Sequence, residues 1–422
     1  MPPAGRRSNV HALATLAVVA ILALGACGTP APTATPTPTS APTTVLPTGT
    51  PRPAAEVYAE IRAAVEAIRG LKPMADVDPV TIDETQLRKN LEAEFDKENA
   101  ADDLEFSEET LIELGLLPAG SSLRNLTLDL QAGQVAGYYS PDQNQLFVVS
   151  RSGRLGPVEE VTYAHEFTHQ LQDQNFDLGK LGLDAPNESD RALAQLALVE
   201  GDAVSVQTTW TAANLTPKQL GELLAASLDP AAIDALRKAP AYLRETSLFP
   251  YSDGLNFVDR LIASGGYDAV NAAFANPPTS TEQILHPDRF AAREVPIGVR
   301  LPQGLAKAMG SGWKEIGQDT LGELILRVWL TGTGVLAVDA SAASAGWGGD
   351  RLVLLRGPAG GLTIGMRTEW DTAGDAAEFA TAATTALRSL GSSHKLTHAP
   401  SSRTVVFALG DGADRLVRAL AG

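Results

Sequence analysis

An α+β fold in two parts is what this 422-residue sequence predicts, on three observations. Residues 134–149 carry short apolar runs separated by turn residues and stand directly before a long helical pattern. Helical spacing then dominates to about Ala275. Beyond Pro296 the pattern changes to Gly-rich turns, strand-like runs at 352–355 and 362–366, and an Ala-rich helix over 375–390. The boundaries implied are 55–298 for a larger folded part and 299–422 for a smaller α+β part. With 44% hydrophobic residues, the chain is long enough to bury at least one full core.

Charge and cysteine content exclude whole classes of function. The balance of 33 Lys+Arg against 50 Asp+Glu gives −17, and no basic run offsets it, so nucleic acid is not an expected partner. A single Cys rules out an internal disulfide and a Cys-based zinc knuckle. That Cys has a specific setting. Arg6 and Arg7 precede an apolar run over 12–24, too short to span a bilayer but right for the apolar region of a signal peptide. The run ends in Leu24-Gly25-Ala26-Cys27, which resembles the lipobox of bacterial lipoproteins. The resemblance implies removal of residues 1–26, a lipid on Cys27, and an extracytoplasmic chain anchored to a bacterial membrane. Residues 27–54 are rich in Thr, Pro and Ala, a composition that stays extended and solvated. At about 3.1 Å per residue such a tether reaches roughly 80 Å.

The folded part opens with two amphipathic surface helices, the first with Val57, Ile61, Val65 and Ile68 at helical spacing and the second over 83–99. Ser107 caps a short third helix that Gly115 and Pro118 stop. Val135, Tyr138 and Tyr139, a polar turn over 140–144, and the run 146–149 then read as a β-hairpin. Pro157 suits a first helical position, Glu159 and Glu160 its first turn, and Val161, Ala164, Phe167 and Leu171 carry the helix to about Gln174. After a loop with Gly179, Gly182 and Pro186, Ser189 starts a long helix through Trp210.

The chemistry is carried by His165-Glu166-Phe167-Thr168-His169, an H-E-x-x-H pattern on the helix that Pro157 opens. At 100° per residue the two imidazoles point within about 40° of one another, so both can grip one metal ion. Glu166 falls to one side, placed to take a proton from a water that zinc acidifies to a pKa of about 7. A catalytic zinc needs a third protein ligand and an open position. Metzincins would supply a His at position 175, which is Asn175 here. The next candidate is Glu200, within Val199-Glu200-Gly201-Asp202-Ala203 on the following long helix, which a return loop can bring back to the pair.

Together with Gly137-Tyr138-Tyr139, these motifs resemble the gluzincin clan of zinc metallopeptidases and, more closely, a group of bacterial, often lipoprotein, metallopeptidases known mainly from sequence. The resemblance covers 137–204, extends weakly to about Phe290 and leaves the C-terminal part out. It implies a zincin-like catalytic domain with a small sheet, an active-site helix and a helical second half. It also implies one zinc ion on His165, His169 and Glu200, Glu166 as general base, and a peptide or protein substrate. In gluzincins the strand before the active helix is an edge strand that pairs with extended peptide, which puts that role on the hairpin strand ending at Val149. Gluzincins usually carry an acid four residues after the ligand Glu; that position is Val204 here. Asp202 and Asp173 are the alternatives for accepting an imidazole N–H.

An oxyanion donor comes from a later segment, either His286 in Leu285-His286-Pro287 or Tyr251 in Pro250-Tyr251-Ser252, with His286 preferred. His394 and His398 read as solvated loop residues and Trp347 as a turn-anchored core aromatic. A reading of a different class is a non-catalytic zinc-binding surface lipoprotein whose C-terminal part binds a partner. Against it stands the three-ligand set, since a closed structural site wants a fourth protein ligand.

Overall fold

The computed structural model describes residues 13–16, 52–150, 155–183, 185 and 187–421. Cys27, the tether up to residue 51 and most of the expected signal segment therefore lie outside the described residues. Four residues of the expected apolar run form a strand, β1 (Leu13–Leu16). Helix α1 (Ala54–Arg69) buries Val57, Ile61 and Val65 of the predicted stripe together with Tyr58, leaves Ile68 half-buried, and ends at Gly70, whose φ of 73° suits glycine. A short strand β2 (Val80–Ile82) follows. Asp83, accepting from the Gln86 N–H, then caps α2 (Glu84–Glu98), and α3 (Ala101–Glu113) and α4 (Leu123–Gln134) lead into β3 (Val135–Ser140) and β4 (Gln145–Val149).

β3 and β4 are the expected hairpin, antiparallel, with Gly137 opposite Val148. One expectation fails here. β4 is not an edge strand, because β2, a three-residue strand hidden between helical patterns, pairs with it in parallel. The sheet order is β1-β3-β4-β2, and β1 lies antiparallel on the outer side of β3, with Thr15 opposite Gly137.

The long helices follow. α5 (Pro157–Phe176) starts at the predicted Pro, and Glu159 accepts the Gly156 N–H at 3.0 Å. α6 (Ser189–Asn214) returns against it, followed by α7 (Pro217–Ser227), α8 (Pro230–Lys238) and α9 (Ala241–Ala275), which breaks at Gly265-Gly266. Tyr163, Ala164, Phe167 and Leu171 of α5 pack with the apolar face of α1, with Tyr139, Leu146 and Val148 of the hairpin, and with Val206 and Trp210 of α6. Helices α6 and α9 meet backbone to backbone. A Cβ on Gly201 would fall 2.2 Å from the Gly254 carbonyl oxygen, and one on Gly254 would fall 2.2 Å from that of Ala197.

After α10 (Thr281–Leu285), α11 (Pro287–Ala291) and α12 (Leu305–Met309), the chain builds a second sheet. Its elements are β5 (Lys314–Asp319), α13 (Gly322–Gly332), α14 (Ala337–Ser344), β6 (Trp347–Arg356), β7 (Leu362–Trp370), α15 (Ala373–Ser389), β8 (His394–His398), β9 (Thr404–Gly410) and α16 (Ala413–Ala421). The order β5-β6-β7-β9-β8 is antiparallel throughout. Alternation along β6 sends Leu352 and Leu354 to the face covered by α13 and α15, and Val353 and Leu355 to the face covered by α12 and α16. His394 and His398 are not in a loop: they lie on the edge strand β8. Trp347 is a core residue whose Nε1–H donates to Asp350 at 2.9 Å.

The two parts are not separate cores. Leu198 and Val199 of α6, Phe257 of α9, Leu324 and Trp329 of α13, and Leu352 and Phe407 of the second sheet belong to one continuous apolar cluster.

Candidate metal centre

The site is assembled by α5 and α6. His165 and His169 lie one turn apart on α5, and antiparallel packing brings Glu200 of α6 to them. His165 Nε2 is 3.0 Å from His169 Nε2, and Glu200 Oε2 is 3.2 Å from the first and 3.4 Å from the second. All three side chains are buried, and this group could hold a metal ion. Two nitrogens and an oxygen at these separations match neighbouring corners of a tetrahedron around one ion with bonds of about 2.0–2.1 Å, whose corners stand about 3.3 Å apart.

The outer ring nitrogens are held by amide oxygens. His165 Nδ1–H donates to Gln207 Oε1 at 2.8 Å, and His169 Nδ1–H donates to Gln172 Oε1 at 2.8 Å. A carbonyl oxygen only accepts, so each Nδ1 carries a proton and each Nε2 is turned to the shared centre. The orientation of Gln172 is itself fixed, since its Nε2 donates to the Val199 carbonyl and to Asp202 Oδ2, both at 2.9 Å. Asp202 in turn accepts from Arg69 Nε at 2.9 Å, and Arg69 is fully buried with its guanidinium 4.8 Å from the Tyr267 ring.

Burial disfavours charge at the trio, and it lowers His165. At His169 burial also pulls down, but the Glu200 carboxylate outweighs it and raises the imidazole. At Glu200 burial pushes upward and the His169 charge wins, holding the carboxyl low.

Glu166 is fully buried where α5 faces β3. Gly137 makes that approach possible: a Cβ there would stand 2.6 Å from Thr162 Cγ2, 2.8 Å from the Phe147 carbonyl and 3.4 Å from Glu166 Cγ.

Of the two alternatives for the oxyanion donor, the structure brings up Tyr251. Its ring lies 6.4 Å from that of His165, inclined by 29°, and packs with Val204. His286 is engaged elsewhere: its Nε2 is 3.0 Å from Glu323 Oε1 of α13, a hydrogen bond that raises its pKa. Asp173 is also elsewhere, accepting from the Tyr139 hydroxyl at 3.0 Å and the Leu178 N–H at 3.2 Å. Asp202 reaches the imidazoles only through Gln172.

Three residues were not singled out from the sequence as part of this site. Gln172 stands three residues after His169 and Gln207 seven after Glu200, spacings that put each on its ligand's face of the helix. Arg69 continues the 57, 61, 65 stripe of α1 by one more turn, the one signal in the sequence for its burial.

Residues 309–420 match the family model of a domain of unknown function, DUF8575. No curated protein and no solved structure matches the chain.

Proposed function

We propose that the chain is a zinc metallopeptidase with a zincin-like catalytic part, in which His165, His169 and Glu200 hold the ion. The observation that carries this is the convergence of two imidazoles and one carboxylate beside a buried Glu166. The donor set suits zinc: two borderline nitrogens and one oxygen, three protein ligands as a catalytic zinc has. A zinc ion held by these three residues would supply Lewis acidity toward a peptide carbonyl and would acidify water.

The protein's own groups do the rest. Glu166 takes a proton from the attacking water, whose oxygen bonds to the scissile carbonyl carbon, and returns that proton to the amine nitrogen as the C–N bond breaks. Gln172 and Gln207 keep both imidazoles in the Nδ1–H form. The Tyr251 hydroxyl donates to the oxyanion that develops on the scissile carbonyl. The outer side of β3 takes the substrate as an extended strand, and the pairing of Leu13–Leu16 there supports this use of the edge. Cleavage before Cys27 would remove those four residues from the mature chain and free the edge. The lipobox-like Cys27 and the Thr/Pro tether make the mature protein an extracytoplasmic, lipid-anchored one.

The decisive comparison is Glu166→Gln against His165→Ala, with zinc content and cleavage of an unstructured protein such as casein both measured. Glu166→Gln is expected to keep one zinc per chain and lose about 10²–10⁴ in turnover, whereas His165→Ala loses the metal. Undiminished turnover by Glu166→Gln would remove the mechanism.

A further inference from the structure

We propose a second metal site, for a hard divalent cation of the calcium class, formed by Glu282, Glu294 and Asp371 where the segment after α9 meets the C-terminal sheet. One carboxylate oxygen from each of the three lies within 4.8 Å of the others. That is within the span of two oxygens on a single Ca²⁺, roughly 5 Å for bonds of about 2.3–2.6 Å. An acidic cluster alone would say little. Here, however, Glu282 is 3% exposed and its Oε1 is buried with no hydrogen-bond partner, so one carboxylate of the cluster is held out of water without a donor.

The local charge does not balance. Glu323 adds a fourth carboxylate, with Oε2 buried and unpartnered while Oε1 meets His286. Against these stand Arg289, whose Nη1 is 2.5 Å from Glu294 and 2.7 Å from Asp371, and the His286 imidazole. Burial and the neighbouring Glu323, Asp371 and Glu294 carboxylates push the Glu282 carboxyl up to about 8 although Arg289 pulls it down, and a divalent ion among these oxygens would offset that repulsion. The donors at the core of the cluster are all oxygens, which favours Ca²⁺ over zinc.

Both sides of the cluster are held in place. Ser280 caps α10 beneath Glu282, Gln283 Nε2 donates to the Glu294 carbonyl at 2.5 Å, and the Ile297 N–H donates to the Gly348 carbonyl at 2.6 Å. Opposite, the Asp371 N–H donates to the Gly346 carbonyl at 2.8 Å. A cation here would clasp the DUF8575 region to the part that carries the histidines.

The test is calorimetric titration of the chelator-stripped full chain with CaCl₂, followed by thermal unfolding with and without calcium. One Ca²⁺ per chain is expected, binding with a Kd of about 10⁻⁴–10⁻³ M or tighter and raising Tm. Glu282→Gln should abolish both effects, and Asp371→Asn, a milder change at the rim, should weaken binding at least tenfold. His165→Ala should leave calcium binding intact, which separates this site from the zinc reading. Retained zinc binding in Glu282→Gln would show that the variant is folded. Calcium binding unchanged in both carboxylate variants, or none in the parent protein up to about 10 mM, would overturn the proposal and leave Arg289 as the cluster's counter-charge.

Discussion

Gln172 and Gln207 show how local chemistry limits what can be read from a sequence. His165, Glu166 and His169 are legible because their geometry follows from one helix, and Glu200 because a return helix has few other ways to finish the set. The partners of the imidazoles are a different matter. Acids were expected at that position, whereas neutral amides occupy it, and only the packing of α5 on α6 reveals which residue faces which ring. Replacing Gln207 with Leu leaves His165 Nδ1–H without an acceptor and should weaken zinc binding by about 10–100-fold, measurable by competition with a chromophoric chelator. Tyr251→Phe removes the hydroxyl from the ring that lies beside that of His165. It should lower kcat by about 10²–10³ with KM little changed, while His286→Ala, remote from the trio, should not; the opposite pattern in steady-state kinetics would return the role to His286.

At the scale of elements, long periodic patterns were legible and short or non-local ones were not. α5 and α6 begin where Pro157 and Ser189 place them, since caps and apolar stripes are properties of contiguous residues. β2 has three residues and no signal of its own, yet its parallel pairing moves β4 from the edge to the interior and leaves β3 with the outer side. The α6–α9 contact was equally hidden, because a glycine in a helix reads as a weak point until its neighbour is known. Gly254→Ala would push a methyl group into the Ala197 carbonyl, so it should destabilise by about 1–3 kcal/mol or more, with a lower midpoint in urea unfolding. An unchanged midpoint would mean that the helices part without cost.

For the whole molecule, the change of sequence pattern near residue 298 locates a change in architecture but not a boundary in packing. Composition follows the chain, whereas the core follows space, and Trp329 and Phe407 share a cluster with Leu198 and Phe257. A chain ending at residue 298 would expose that apolar surface to water. It should be recovered insoluble or lack a cooperative thermal transition by circular dichroism, and a soluble, cooperatively folding fragment would contradict the shared core.

The glycine contact also has a mechanical outcome. Two helices whose backbones touch cannot slide or roll without colliding, so Glu200 and Tyr251 travel as one rigid jaw. The spacing between Glu200 and Tyr251 is accordingly set by main-chain contact, which has no rotamers to relax.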